Sequence, residues 1–282
     1  MTDPTNSDSG QLLDPLPLAD EARLPKGFWQ GVDYLLMNAE DVLELMRQDK
    51  DTWRLNRFFF VVALVLGALY GCVMGATNLC QGTVLPMNDK LAMIAVSGIK
   101  VPLLFLLSVL IVFPPIYVSN AFVGAKLPFR KMVAVMLAAV GMQVTILASM
   151  ATVALLFAVT SRSYHFIKLM HVVFFVYGGF AGLVFVTRAI RQVAGEAGKA
   201  TPAILFLGWL LLYGFVGTQL AWTLRPFVGS PNEPFQLFRE RDGNVFESII
   251  YSTGQFLVGK DGRELEWSRE AGGAPAPHPE EP

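Results

Sequence analysis

Five long apolar runs constrain this chain more than any other feature. They lie near residues 58–77, 101–119, 132–159, 167–187 and 203–224. Each is long enough for a helix to cross the roughly 30 Å of hydrocarbon in a bilayer, and an open strand could not satisfy its backbone in lipid. Of the 282 residues, 53% are hydrophobic and only 16% are charged. The sequence therefore predicts an all-α integral membrane bundle of about five transmembrane helices over 56–225, and excludes a water-soluble α/β enzyme.

The segment before the bundle divides into two parts. Residues 1–25 are polar and proline-rich, which is typical of a disordered cytosolic arm. Residues 26–55 are predicted as an amphipathic cytosolic helix, because apolar residues recur there at steps of three and four. The apolar seam consists of Trp29, Val32, Leu36, Ala39, Leu43 and Met46. This helix could lie on the membrane surface or pack on a partner, and its acidic opposite face disfavours adsorption to anionic lipid.

The chain after the last span predicts an outer collar over 226–270. Prolines punctuate its first part, and residues 244–257 form a short amphipathic pattern with a capping box at Asn244 and Glu247. That helix is too short to span and is expected at the interface. The residues expected to anchor the collar are Trp222, Arg225, Phe227 and Phe246. The collar is either ordered for assembly or simply a loop held at the interface, and residues 271–282 are predicted to be disordered.

Basic residues set the expected orientation. They are more numerous before the first span and in the loops after the second and fourth spans than on the opposite side. The positive-inside rule then places the N-terminus in the cytosol and the C-terminus outside. The chain has no Asn-x-Ser/Thr site, which fits a bacterial cytoplasmic membrane.

Small residues recur at every fourth position within the predicted spans. Gly67, Gly71 and Gly75 form such a stripe in the first span. Gly141, Gly178 and Gly182 belong to similar patterns in the third and fourth spans. Small residues at this spacing let helix backbones approach closely. The stripes predict either a dedicated subunit interface or ordinary packing within one chain, and the second is slightly favoured.

Polar residues within the spans are the remaining candidates, since such residues are costly in lipid. They are Lys100, His171, Gln143 and Gln219. Lys100 can snorkel to the outer interface if its helix starts near Ser97, but needs a partner if the helix starts at Asp89. His171 is expected to be a satisfied bundle histidine. The two glutamines could line a narrow polar path or join helices by hydrogen bonds.

The sequence contains no pattern typical of an enzyme. We find no phosphate loop, nucleophile elbow, acid pair or metal-ligand spacing, and therefore expect no catalytic site, metal or cofactor. A net charge of −1 does not favour nucleic-acid binding.

Two segments resemble known membrane proteins. Lys100-Val-Pro-Leu-Leu-Phe, Phe113-Pro-Pro-Ile-Tyr117, Asn120 and Gly124 are similar to spans of Yip1-like multi-pass proteins. Leu224-Arg-Pro-Phe-Val-Gly-Ser-Pro231 resembles a segment in an uncharacterised set of bacterial membrane proteins. The first resemblance implies a membrane-organising, partner-recruiting role, although the tail after the fifth span departs from that plan.

These observations lead to one main hypothesis and one alternative. The main hypothesis is a non-enzymatic membrane scaffold that self-associates or recruits another membrane protein. The alternative is a homo-oligomeric channel for ions or small solutes, with a pore between subunits. The expected partners are membrane lipid and either further copies of the chain or another membrane protein.

Overall fold

The fold is a bundle of helices, described here from a computed structural model. The structure describes residues 27–48, 52–80, 86–122, 127–161, 163–193, 203–228, 237, 249–250 and 252–254. The helices of ten or more residues in these ranges are α1 (Phe28–Met37), α2 (Ala39–Gln48), α3 (Thr52–Cys80), α4 (Met87–Phe122), α5 (Phe129–Thr160), α6 (Tyr164–Val193) and α7 (Ala203–Leu224). Residues 249–250 and 252–254 are also helical. No strand occurs within the described ranges. The arm 1–25, Phe246, the tail 271–282 and most of the predicted helix 244–257 lie outside the described residues.

The predicted all-α membrane bundle is confirmed. Among the described residues, five helices, α3 to α7, are long and apolar enough to cross a membrane. They are longer than the apolar runs suggested: α4 begins at Met87 rather than near residue 101. Hydropathy marks where lipid contact ends, whereas a helix can continue into the interface with polar residues such as Asp89 in its first turn.

The spans pack mainly as antiparallel neighbours. On α3, Gly67 faces Pro102 of α4, whereas Gly75 faces Ile94, so the two helices run in opposite directions. On α6, Gly178 and Gly182 likewise face successively earlier positions of α5. α7 leans on α4 and is otherwise peripheral: 11% of the positions in its most apolar stretch are buried, against 56% in α3.

The length of α7 gives a scale of depth. Its 22 residues extend about 33 Å at about 1.5 Å per residue, close to one hydrocarbon thickness. Tyr213 lies near the centre of α7 and bonds to Gln143 of α5, so this pair marks the middle of the bundle. α4, with 36 residues, extends about 54 Å and projects beyond α7.

The bundle has two distinguishable ends. We call the end with α1, α2 and the first turns of α3, α5 and α7 the near end, and the opposite end the far end. One buried apolar cluster, containing Leu43, Met132 and Ile190, fills the near half. A second, containing Tyr70 and Ile167, fills the far half.

The predicted N-terminal amphipathic helix is two helices in the structure. Asn38 leaves the helical region (φ −122°, ψ 47°) and separates α1 from α2. Asparagine readily caps a helix, and Asn38 with Asp41 three residues later was a sequence signal for a new start. The hydroxyl of Tyr34 donates to Asp41 across the break at 3.2 Å.

Most of the apolar seam packs against the same chain. Val32, Leu43 and Met46 are buried, whereas Trp29 is 68% and Leu36 45% exposed. Lys131 of α5 donates to the carbonyl of Arg47 at 2.9 Å, and a cation there satisfies a terminal carbonyl of α2. The seam therefore holds α1 and α2 on the bundle. Its exposed residues Trp29 and Leu36 stay accessible to lipid or a partner.

Candidate functional site

The glycine stripe of α3 is occupied by α4. A Cβ built on Gly75 would lie 2.7 Å from the Ile94 Cα, and one on Gly71 would lie 3.0 Å from the Gly98 Cα. Both obstacles are backbone atoms, which cannot rotate away as a side chain could. The stripe thus allows close contact between two helices of one chain.

The other predicted glycines also face helices of the same chain. A Cβ on Gly141 would meet Phe59 at 3.3 Å and Leu35 at 3.6 Å, which brings α5 against α3 and α1. One on Gly182 would lie 3.1 Å from the carbonyl oxygen of Ala139. Like the α3 stripe, these positions are used within the chain.

A hydrogen-bonded pair ties α7 to the bundle at mid-depth. The Tyr213 hydroxyl donates to the Gln143 side-chain oxygen at 2.9 Å. Nearer the start of α7, the Trp209 ring nitrogen donates to Ser119 of α4 at 2.8 Å. Gln143 therefore acts in this structure as a link between helices. A polar path through the bundle at this depth would require the hydrogen bond between Tyr213 and Gln143 to break.

A small cavity lies beside this pair. Its volume is about 40 Å³, and α4, α5, α6 and α7 line it. Gly179 and Gly182 open the space, while apolar side chains such as Val109 and Val186 form most of the wall. The Gln143 oxygen in this wall is already bonded to Tyr213. The cavity is therefore lined mainly by apolar groups.

Lys100 lies deep in the bundle with identifiable partners. Because α4 begins at Met87, Lys100 is about 20 Å along the helix axis, and only 4% of its surface is exposed. Its Nζ donates to the carbonyl of Pro226 at 3.3 Å and to the carbonyl of Leu237. The structure thus corresponds to the second of the two expectations, a buried lysine with partners. Those partners are backbone atoms distant in sequence, so no local pattern indicated them.

His171 is paired inside an aromatic cluster. Its Nδ1 lies 2.8 Å from the Tyr70 hydroxyl, and Phe174 and Phe175 surround the two rings. The other ring nitrogen, Nε2, has no partner among the described residues. Within those residues, no group of three or more His, Cys, Asp or Glu could hold a metal ion.

The start of the predicted collar folds back onto the bundle. The Arg225 guanidinium lies 3.6 Å from the centroid of the Trp222 ring, a cation–π contact. Phe227 is half-buried, and the neighbouring Pro226 and Val228 are buried. Ser97 of α4 donates to the carbonyl of Phe227 at 2.7 Å. The chain leaving α7 is therefore attached to α4.

One exposed surface differs from the others. The α7 face, as we call it, is the side of α7 that points away from α4. It consists of Gly208, Leu211, Gly214, Phe215 and Gln219, all exposed. A Cβ on Gly208 or Gly214 would meet nothing within 4 Å. The Gln219 side-chain amide has no hydrogen-bond partner among the described residues.

The exposed side of α3 provides the contrast. From Phe60 to Leu69, the exposed residues of α3 are all large and apolar, namely Phe60, Val61, Leu64, Val65 and Leu69. Over Leu207–Leu224, α7 is the least buried of the five spans. Polar groups are costly in hydrocarbon, and Gln219 is such a group on an exposed side of this span.

Comparisons with known proteins add no relative. No protein-family model, curated protein or solved structure matches this chain. The resemblance to Yip1-like proteins therefore stays a prediction that depends on the segments quoted above.

Proposed function

We propose that this chain is a non-enzymatic, multi-pass membrane scaffold that self-associates through the α7 face. The observation that carries the proposal is the exposed amide of Gln219 on the least buried span. In membranes, glutamine and small residues are enriched where helices meet, because the amide finds a partner and the small residues allow close approach. Gly214 and the half-buried Thr218 provide a small-x-x-x-small step beside Gln219.

The small and polar residues inside the bundle support the same proposal, because they already have partners within the chain. The α3 stripe faces α4, Gln143 holds Tyr213, and Lys100 holds the segment after α7. Polar groups that are buried and bonded inside the chain are less available to a partner. Within the described spans, the α7 face is where exposed glycines and an exposed side-chain amide occur together.

A second copy of this chain is the partner that the chemistry favours. A two-fold axis along the membrane normal brings each residue near its own copy at the same depth. The Gln219 amide carries both donors and an acceptor, so two such side chains can bond each other. A different protein would need a matching polar group at that depth.

We also propose a location and orientation. Exposed or half-buried basic residues at the near end include Arg54, Arg130, Lys131, Arg188 and Arg191. The positive-inside rule assigns such an end to the cytosol. The proposed place is a bacterial cytoplasmic membrane, with the N-terminus inside and the C-terminus outside.

Crosslinking in native membranes tests the proposal. In a background where Cys72 and Cys80 are alanine, Gly214→Cys should give a dimer with a short bifunctional maleimide. The matched control, Leu64→Cys, lies on the exposed apolar side of α3 and should give little. Equal dimer yields would count against the α7 face. The absence of any crosslinked complex, with this or another protein, would overturn the scaffold function itself.

The alternative, an intersubunit channel, has one observation in its favour. If several copies surrounded a central axis with their α7 faces inward, Gln219 and the exposed Thr223 would line the opening. Ion flux from liposomes would then fall when Gln219 is replaced by leucine. Flux unaffected by that change, or no flux at all, would leave the scaffold as the better account.

A further inference from the structure

The far end of α7 is fastened by side chains of α4. The Nζ of Lys100 donates to the Pro226 and Leu237 carbonyls, and the Ser97 hydroxyl donates to the Phe227 carbonyl. We call these two donors and three carbonyls the clasp. It joins α4 to residues that follow α7 in sequence.

The clasp supplements a small set of other attachments. Nearer its start, α7 is held to α4 by Trp209 and to α5 by Tyr213. In the far half of α7, Phe215 and Gln219 are exposed. A Cβ added to Gly217 would lie 3.8 Å from the Ser108 side chain of α4. The far half is also held by packing, since Val216 lies against the near apolar cluster and Leu224 is buried, and the clasp adds hydrogen bonds to α4 just beyond it.

The same segment is buried as well as bonded. Val228 belongs to the far apolar cluster together with Tyr70 and Val101, and Phe227 packs against that cluster. Further along the chain, Lys168 of α6 donates to the buried Ser252 at 3.0 Å. The chain after α7 is therefore attached to both α4 and α6.

Lys100 and Ser97, the two donors of the clasp, have other hydrogen-bond partners available when residues 226–228 leave α4. The long stem of Lys100 allows its ammonium to snorkel toward the membrane surface. A serine in a helix can bond the carbonyl four residues earlier, as Ser108 does with Leu104 in this same helix. Opening the clasp would therefore leave neither the Lys100 ammonium nor the Ser97 hydroxyl buried without a hydrogen-bond partner.

We propose that the clasp is a releasable strap that sets the position of the far half of α7 and so controls how the α7 face is presented. The closed state is the one in this structure. In the open state, residues 226–228 leave α4 and α7 is free to tilt. The claim that the strap controls assembly rests on the proposed function, whereas the existence of the strap does not.

Chemical labelling tests the strap directly. In the alanine background for Cys72 and Cys80, Val228→Cys is placed under the clasp, and its reaction with a membrane-impermeant maleimide is timed in proteoliposomes. Adding Lys100→Met keeps an apolar stem but removes the ammonium. We expect the labelling rate to rise about tenfold or more, as the loss of buried, charge-assisted hydrogen bonds predicts. An unchanged rate would overturn the proposal.

Two further variants keep this result interpretable. Ser97→Ala removes one hydroxyl without leaving a buried charge, and should raise the labelling rate by a smaller factor in a protein that still folds. Arg188→Met changes an exposed cation of α6 at the near end, remote from the clasp, and should leave the rate unchanged. An equal rise with Arg188→Met would mean that the variants loosen the whole fold, which would refute a specific strap.

The link to assembly needs a separate readout. Crosslinking of Gly214→Cys is measured with Lys100 intact and with Lys100→Met. We expect a changed dimer yield in the variant. Faster labelling with an unchanged yield would overturn the control of assembly, whereas no dimer even with Lys100 intact would refute the proposed function instead.

Discussion

Replacing Gly71 with alanine should separate α3 from α4. The added Cβ would overlap the Ser97 carbonyl oxygen and would lie 2.9 Å from the Ser97 carbonyl carbon and 3.0 Å from the Gly98 Cα. Favourable contacts between carbon atoms lie at about 3.5–4.0 Å. The two backbones must therefore move apart locally by about 0.5–1 Å.

The cost follows from that separation. A gap of about this size forfeits a quarter to a half of the attraction between each pair of facing atoms. Together with the strain of overpacking, the expected loss in the free energy of unfolding is about 1–3 kcal/mol.

The chain supplies graded controls for this prediction. Gly67→Ala would place a Cβ 3.2 Å from the Pro102 side chain and should cost less. Gly208→Ala meets nothing within 4 Å, and alanine is favoured over glycine in a helix by up to about 1 kcal/mol. That variant should be as stable as the original chain or slightly more stable.

Equilibrium unfolding of monomeric protein, in mixed micelles with increasing denaturing detergent, would measure this order. The expected order of stability is Gly208→Ala, then Gly67→Ala, then Gly71→Ala. A Gly71→Ala protein as stable as the unmodified chain would refute the reasoning, because the Ser97 carbonyl would then not limit the approach of the helices.

Three further predictions concern hydrogen bonds at other levels of the bundle. Gln143→Leu and Tyr213→Phe should each destabilise the fold and show a coupling of about 0.6–1.7 kcal/mol in a double-mutant cycle; additive effects would mean that the pair is not formed. Lys131→Met should speed hydrogen exchange at the end of α2, because a terminal carbonyl loses its donor, and unchanged exchange would contradict this. Hydrogen bonds from Arg47 and Gln48 lower the pKa of Glu44 from 4.5 to about 2, so their stabilisation of α2 is present above about pH 4.5 and is lost as the pH falls toward 2. Hydrogen exchange in α2 should follow that loss, and Glu44→Gln should remove this part of the pH dependence.

The sequence predicts the number of spans better than their ends. Apolar runs reveal lipid contact, and all five predicted spans coincide with helices of the structure. They do not reveal where a helix starts, so the sequence leaves the start of the second span open between Asp89 and Val101, and the structure begins α4 at Met87. That boundary decides whether Lys100 snorkels or needs a partner, which is why both expectations were open from the sequence.

The α7 face shows a second limit of prediction from the sequence. Gln219 stands out in the sequence as a polar residue within a span, but its spacing does not say whether it points inward. The direction depends on which side of α7 meets α4, and that contact is tertiary: Trp209 reaches Ser119, 90 positions earlier in the chain. The partner carbonyls of Lys100 are more than 120 positions later. Such pairings depend on the packing of distant helices and leave no local pattern.

Counting subunits in a bilayer tests the central claim most directly. The protein is labelled with one fluorophore per chain, reconstituted in liposomes at high dilution in lipid, and bleached under single-molecule illumination. The account predicts two or more bleaching steps per spot for the original chain, and mostly single steps for the combined variant Gly214→Leu, Gln219→Leu. Single steps for the original chain would contradict self-association, and multiple steps in both proteins would contradict the α7 face as its site.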